Sequence, residues 1–418
     1  MLSYVLVFYV SPGEAWWSAE VPDLRWSLLA AVVTITAVIR YPAPSDRPPW
    51  HKTPFARWLA VITLWLWVQT LWALDIDNHV FLASLFSKYL LLYAALYTCL
   101  SEPRNVRQFY FAHILGCFLW GYIAYQSPGS GRLETIGTGD VAGSAFASMQ
   151  IGTGIIFAGF AFLGASGIHR WLAFSSIPFM LNAIVLMATR GAFVGLLGGA
   201  LAAVFFAPRS KRYAVILSIA ISPILLTMLA NDLFWSRMFT ILPSGNSAVM
   251  EASADSRFGI AKANLEMFLD HPMGVGHRGN EILSPTYMPP SLLTEKGNTQ
   301  VRSAHNTFMA ILVDHGAVGL FLFLMLHLSI FRSLLRLKLL PSSGLDTEFS
   351  FYAAALGTAW VVYWGNAQFA NFTKSEVIIW IAVLASALEW MMQSSLRTAV
   401  TTPSENEPSD GTTKTTNL

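Results

Sequence analysis

"RSAHNTFMAILVDHGAVGLFLFLMLHLSIFR", residues 302–332, decides which solvent this chain folds in. It opens on polar and charged residues, turns apolar within a few positions and closes on Arg332. About 20 apolar residues at 1.5 Å each cross the roughly 30 Å hydrocarbon layer of a bilayer, so this stretch reads as a transmembrane helix. Its polar entrance carries an ionisable group, His305, beside Asn306. The rest of the chain has the same character. Of 418 residues 54% are hydrophobic and 12% charged, against about 25% charged in soluble domains.

Apolar segments recur at 2–10, 24–39, 55–74, 80–100, 108–125, 143–166, 171–188, 191–206, 213–230, 304–331, 352–370 and 376–396, twelve in all. The expected fold class is therefore an all-α polytopic membrane protein of about 12 transmembrane helices. Met1–Val10 lacks the basic start and small-residue cleavage site of a signal peptide, and is read as a short first span. Loop charges set the direction, because Lys and Arg concentrate on the cytoplasmic side. Arg40, Arg47, Lys52 and Arg57 share one loop; Arg104 and Arg107, then Arg170, then Arg209, Lys211 and Arg212, then Arg332, Arg336 and Lys338 fall in alternate loops after it. The opposite loops carry Glu14, Glu20, Asp23, Asp75, Asp77, Glu134 and Asp140. Both termini are expected in the cytoplasm.

The organisation expected is N-terminal transmembrane helices over 1–230, a long outer segment over 231–303, C-terminal transmembrane helices over 304–396 and a polar, disordered tail over 397–418. A long loop in a compact protein is usually functional. Within it, "SRFGIAKANLEMFLD" (256–270) predicts a helix with Phe258, Ala261, Leu265 and Phe268 on one face, capped by Asp255 or Ser256. The net charge of +2 is too small to argue for nucleic acid as a partner, and no basic cluster or zinc-ligand spacing appears in the sequence. Cys99 and Cys117 lie in apolar runs and imply no disulfide framework.

Helix rise sets depth. Counting from Arg170, Arg190 reaches the outer face; counting back from Arg332, His305 stands 27 residues away, about 40 Å along a continuous helix. Arg190, His305 and the long segment with Arg257 thus share the level of the outer headgroups. An imidazole there exchanges protons near neutral pH, and guanidinium groups bind phosphate in bidentate geometry. Together they suit chemistry on an outward-facing lipid-linked phosphate; the other reading is interfacial anchoring.

Further candidates carry two readings each. Lys88, inside "ASLFSKYLLLYAAL", binds substrate phosphate or snorkels. Arg302, His277 and Arg278 contact an acceptor or are solvated loop charges. Asn306 joins His305 as a possible substrate contact. Asp75 and Asp77 form a weak divalent-cation pattern. Asp314 and His315, adjacent on a helix, point apart, and Gly316 permits a break. Trp120 and Trp364 stack on sugars or belong to aromatic belts.

"TRGAF" (189–193), "SRFGIAKANLEMFLDHPMGVG" (256–276) and "HNTFMAILVDHGAVGL" (305–320), in this order around one long segment, resemble the O-antigen ligase and polymerase superfamily, and "PGEAWW" (12–17) is similar to the start of such proteins. The resemblance implies a helical fold like the C-type glycosyltransferases in the bacterial inner membrane, with an active site facing the periplasm. It implies transfer of a glycan from undecaprenyl diphosphate to lipid A-core, to another lipid-linked repeat or to protein, without a metal or other cofactor. By matching position His305 is the implied catalytic base, and Arg190 and Arg257 the diphosphate-binding pair. Of the possible products, ligation to lipid A-core fits best. The rival class, a transporter of lipid-linked glycan, favours charged sites at mid-membrane, whereas here they gather at one face.

Overall fold

The computed structural model describes residues 1–11, 24, 26–40, 44–127, 131–134, 136–137, 143–239, 247–296, 299–340 and 347–401. Among the described residues it is all-helical apart from one hairpin, with 81% of them in helix. Each of the twelve apolar segments carries a helix: α1 (Leu2–Val10), α2 (Trp26–Arg40), α3 (Pro54–Gln69), α4 (Ile76–Cys99), α5 (Pro103–Gln126), α6 (Ser144–Gly164), α7 (Gly167–Met187), α8 (Arg190–Phe206) and α9 (Arg212–Leu229), then α13 (Thr307–Leu339), α14 (Thr347–Ala367) and α15 (Val377–Thr401). Among the described residues, six helices are long and apolar enough to cross a membrane by themselves. The protein is thus a multi-pass membrane protein.

Between α9 and α13 lie α10 (Asp232–Phe239), α11 (Ser247–Asp270), α12 (Gly279–Tyr287) and a small antiparallel hairpin, β1 (Thr294–Lys296) and β2 (Thr299–Val301), pairing Thr294 with Val301. The sequence pattern held no sign of that hairpin. Helix α11 also departs from expectation. It starts at Ser247, so Asp255 and Ser256 lie inside it and do not cap it; "SAVMEASA" is rich in good helix formers and carries the helix upstream. Its buried stripe is Ile260, Ala263, Asn264 and Met267, while Phe258 is 74% and Leu265 48% exposed. Both stripes have helical spacing, and the packing partners, Val275, Met288 and Val313, choose between them. Helix α15 runs to Thr401, beyond the expected end at 396. "PGEAWW" and the tail from 402 lie outside the described residues.

Two packing devices fix how these helices meet. Gly191, Gly195 and Gly199 recur every four residues on α8 and let α14 approach closely. A Cβ on Gly195 would fall 2.8 Å from the Val362 carbonyl oxygen, and one on Gly365 2.6 Å from the Gly195 Cα. Small-residue stripes of this kind favour close helix contact where lipid gives no hydrophobic drive between helices. The first residue of α8, Arg190, is thereby held beside the end of α14.

The second device is a break in α13. Gly316 has φ 72°, ψ −173°, outside helical geometry. A side chain is not tolerated there: a Cβ would lie 2.4 Å from the carbonyl carbon of Met273. The break frees backbone groups that must find partners inside the protein. Gly276 N–H donates to Asp314 O at 2.8 Å and Ala317 N–H to Pro272 O at 3.0 Å. Gln69 Nε2 donates to Asp314 O at 2.7 Å and Trp65 Nε1 to His315 O at 3.1 Å. "HPMGVG" (271–276) is thus stitched to the broken helix, and α3 seals it from the other side.

Candidate functional site

Helix α7 ends at Met187, where Ala188 adopts left-handed geometry (φ 44°). Two arginines cover this end, Arg132 from a loop and Arg237 from α10. Arg132 Nε donates to Met187 O at 2.8 Å, and Arg237 Nε to Ala188 O at 3.0 Å. Cations suit a helix C-terminus, whose carbonyls carry partial negative charge. Arg132 also pairs with Glu134 at 2.6 Å, and Ser144 Oγ donates to Glu134 at 2.9 Å. Burial lowers the Arg132 pKa, with the neighbouring Arg237 acting in the same direction and Glu134 against it. After Thr189, bonded to Ser148 at 2.8 Å, the chain turns directly into α8, so Arg190 sits where one helix ends and the next begins.

The opposite wall is the entrance to α13. Asn306 is its N-cap: the side-chain oxygen accepts from Phe308 N at 2.9 Å and Met309 N at 3.1 Å. Its amide donates to Gln368 Oε1 at 3.2 Å. Thr307 Oγ1 donates to Ala370 O at 2.7 Å and accepts from Phe372 N at 3.0 Å, tying the start of α13 to the segment after α14. His305 precedes the cap with φ 47° and is exposed. Left-handed geometry costs an ordinary residue about 1–2 kcal/mol, so the cap on one side and the buried Ala304 on the other hold it there.

These walls enclose a cavity of about 740 Å³. Arg132, Arg190, Arg237, Arg302, Glu134, His305 and Asn306 line it, with Phe369 and Phe372 on the apolar side. Four arginines face one glutamate, so the cavity is electropositive and matched to an anion. Arg302 is held by its backbone N–H, which donates to Ser284 Oγ at 2.8 Å, while its buried Nε has no hydrogen-bond partner. A buried guanidinium nitrogen without an acceptor is costly unless a ligand supplies one.

The structure therefore brings together His305, Arg190, Arg302 and Asn306. Arg257 lies on α11, whose Ile260, Ala261 and Asn264 line the same cavity, but its side chain is outside the described residues. Lys88 lies on α4, and no cavity-lining position belongs to that helix. Asp75 accepts from Asn78 N at 3.1 Å and Asn78 Nδ2 at 2.7 Å, acting as the N-cap of α4. Trp120 donates to Tyr9 O at 2.9 Å and Trp364 to His327 at 3.1 Å, both inward contacts. Arg132 and Arg237 escaped sequence reasoning. Arg132 carried a signal, as the lone arginine beside Glu134 and Asp140, whereas Arg237 shares its segment with Arg257, Lys262, Arg278, Lys296 and Arg302.

A multi-pass helical membrane protein with an arginine-walled, histidine-bearing cavity beside a capped helix entrance is the class that fold and site define. Residues 175–324 match the family model described as O-antigen ligase, and over that stretch the chain is similar to this family. The match contains Arg190, Arg237, Arg257, Arg302 and His305. No curated protein matches the chain.

Proposed function

We propose that the cavity transfers a glycan from undecaprenyl diphosphate to an acceptor hydroxyl at the periplasmic face of the inner membrane. The observation that carries this reading is the convergence of His305 with Arg132, Arg190, Arg237 and Arg302 around one cavity. An acceptor hydroxyl gives its proton to His305 as it attacks the anomeric carbon, and a positioned base contributes about 10²–10⁴-fold. The bond to the diphosphate breaks as the new glycosidic bond forms, and the configuration inverts. Charge growing on the departing diphosphate is stabilised by fixed guanidinium donors. In this reading Arg190 and Arg257 hold the diphosphate, Arg302 supplies a further donor, and Asn306 sets the direction of the imidazole from its cap position. All twelve apolar helices belong to the membrane unit, with both termini cytoplasmic.

Lipid A-core is the preferred acceptor. Purified protein given an undecaprenyl-diphosphate glycan and lipid A-core, with His305→Ala in parallel, tests this by mass of the lipid products. Glycan on lipid A-core, lost in the variant, is expected. Longer glycan still on the carrier makes the protein a polymerase, and glycan on protein a protein glycosyltransferase. Full activity in a folded His305→Ala enzyme overturns the base assignment.

A further inference from the structure

The clamp around the break in α13 contains a buried cluster that the glycan site does not use. His277, Asp314 and His315 are 5%, 1% and 4% exposed, and none of them lines the arginine cavity. One nitrogen from each imidazole and one carboxylate oxygen lie within 4.8 Å of one another. Adjacent positions 314 and 315 diverge on a helix, but the loop carrying His277 comes in against both, its ring stacked on that of His315 at 6.4 Å and 9°.

The hydrogen bonds of the cluster leave specific lone pairs over. Asp314 Oδ1 accepts from Asn280 N at 2.9 Å and Asn280 Nδ2 at 2.8 Å, and Oδ2 accepts from Arg278 N at 3.1 Å. A carboxylate offers about four acceptor directions, so Oδ2 keeps one. His277 Nδ1 is buried without a hydrogen-bond partner and stands 3.7 Å from that oxygen. This is too long for a hydrogen bond. It is near the separation of about 3.4 Å between two ligands on a tetrahedral ion with bonds of about 2.0–2.2 Å.

His315 is oriented as metal-binding histidines are. Gln69 donates its amide to the Asp314 and Met273 carbonyls, so its Oε1 accepts from His315 Nδ1 at 2.8 Å. That fixes the proton on Nδ1 and leaves a lone pair on the other nitrogen, the one a metal would take. His79 is excluded as a ligand. Its Nε2 donates to Leu66 O at 2.8 Å and its Nδ1 accepts from His277 N at 3.0 Å. The guanidinium of Arg278 turns to Glu281 at 2.9 Å, so among the described residues no lysine or arginine pairs with the buried Asp314 carboxylate.

We propose that His277, Asp314 and His315 form a binding site for a divalent transition-metal ion, which pins the 271–280 loop to the break in α13. Two imidazoles and a carboxylate select a zinc-like ion over Mg²⁺ or Ca²⁺, which require more oxygen ligands. The site is separate from the arginine cavity, and the proposal is independent of the glycan chemistry assigned there.

The full chain, purified with a histidine-free tag and dialysed against chelator, is titrated with Zn²⁺ alone, and bound metal is quantified. His277→Gln is the informative variant, because the side chain makes no hydrogen bond and the backbone bond to His79 survives. His169→Gln, at an exposed histidine, is the control. Expected are one equivalent bound by wild type and by His169→Gln, affinity at least tenfold weaker in His277→Gln, and a Zn²⁺-dependent rise in Tm that this variant lacks. Co²⁺ in place of Zn²⁺ should give a ligand-field spectrum in wild type only. No stoichiometric binding by wild type, or equal binding by His277→Gln, overturns the proposal. Because metal content and Tm are read without substrate, failure here leaves the transferase reading standing.

Discussion

Removing the cap on α13 tests whether His305 is positioned or merely present. Asn306→Ala deletes the oxygen that accepts from Phe308 N and Met309 N, and the amide that reaches Gln368. Loss of an N-cap costs about 0.5–2 kcal/mol, and the bond to Gln368 adds about 0.5–1 kcal/mol. The expected destabilisation is therefore about 2 kcal/mol, a fall of a few degrees in Tm for a chain of this size. The catalytic effect should be larger. His305 holds φ 47° next to the cap, and once the cap is gone its backbone relaxes towards ordinary geometry. Misplacement of a catalytic group by about 1 Å costs on the order of 10²-fold. The assay is glycan transfer in detergent or proteoliposomes, with kcat and donor KM separated. The kcat should fall about 10²-fold with little change in KM, because the arginines are untouched. Asn306→Ser, which keeps an acceptor at the cap, should recover most of the loss. If Asn306→Ala loses the expected Tm but keeps its kcat, or if Ser performs no better than Ala, the cap does not set the imidazole.

Arg302→Ala removes the guanidinium with the unpartnered Nε and should raise donor KM about tenfold, with the same weakening of inhibition by inorganic pyrophosphate; unchanged inhibition would take Arg302 out of the anion site. Arg132→Ala uncovers the end of α7 and strands Glu134, so it should cost about 2 kcal/mol, read as Tm, whatever it does to activity. Gly316→Ala forces a Cβ against Met273 at a left-handed position and should cost about 3 kcal/mol or more, seen as poor folding yield or a sharply lower Tm. Asp75 accepts from Asn78 N–H, which holds its carboxyl below the usual value. Its stabilisation is therefore present above the unfolded pKa of about 4 and lost as pH falls through the folded value. The Tm gap between wild type and Asp75→Ala should narrow on acidification, and a gap independent of pH would count against the charge contribution.

The helices were legible because lipid imposes a simple rule, and each apolar segment from 2–10 to 376–396 carries one. His305 and Arg190 could be put at one level by counting rise per residue, since a spanning helix converts sequence distance into depth. Counting gives depth but no azimuth. It could not say that Arg132 and Arg237 turn onto the end of α7, because that depends on which segments cover which helix. The same limit explains α11. Phe258 and Leu265 fit a helical stripe as well as Ile260 and Met267 do, and only the distant partners Val275, Met288 and Val313 distinguish them. The stretch His271–Gly276 and its partner, the broken α13, lie about forty residues apart, and beyond Gly316 nothing local joins them.

The break at Gly316 also bears on how the protein meets membranes of different thickness. Helix α13 has 33 residues, about 50 Å at helical rise, well beyond the roughly 30 Å hydrocarbon layer. A straight rod of that length would answer every change in bilayer thickness by tilting, and would swing His305 at its tip. Here the part before Gly316 is fastened to the 271–276 loop and to α3, and the part after it is joined through a non-helical residue. Tilting of α13 as the lipid thickens or thins is therefore opposed at its His305 end by contacts with two other parts of the chain.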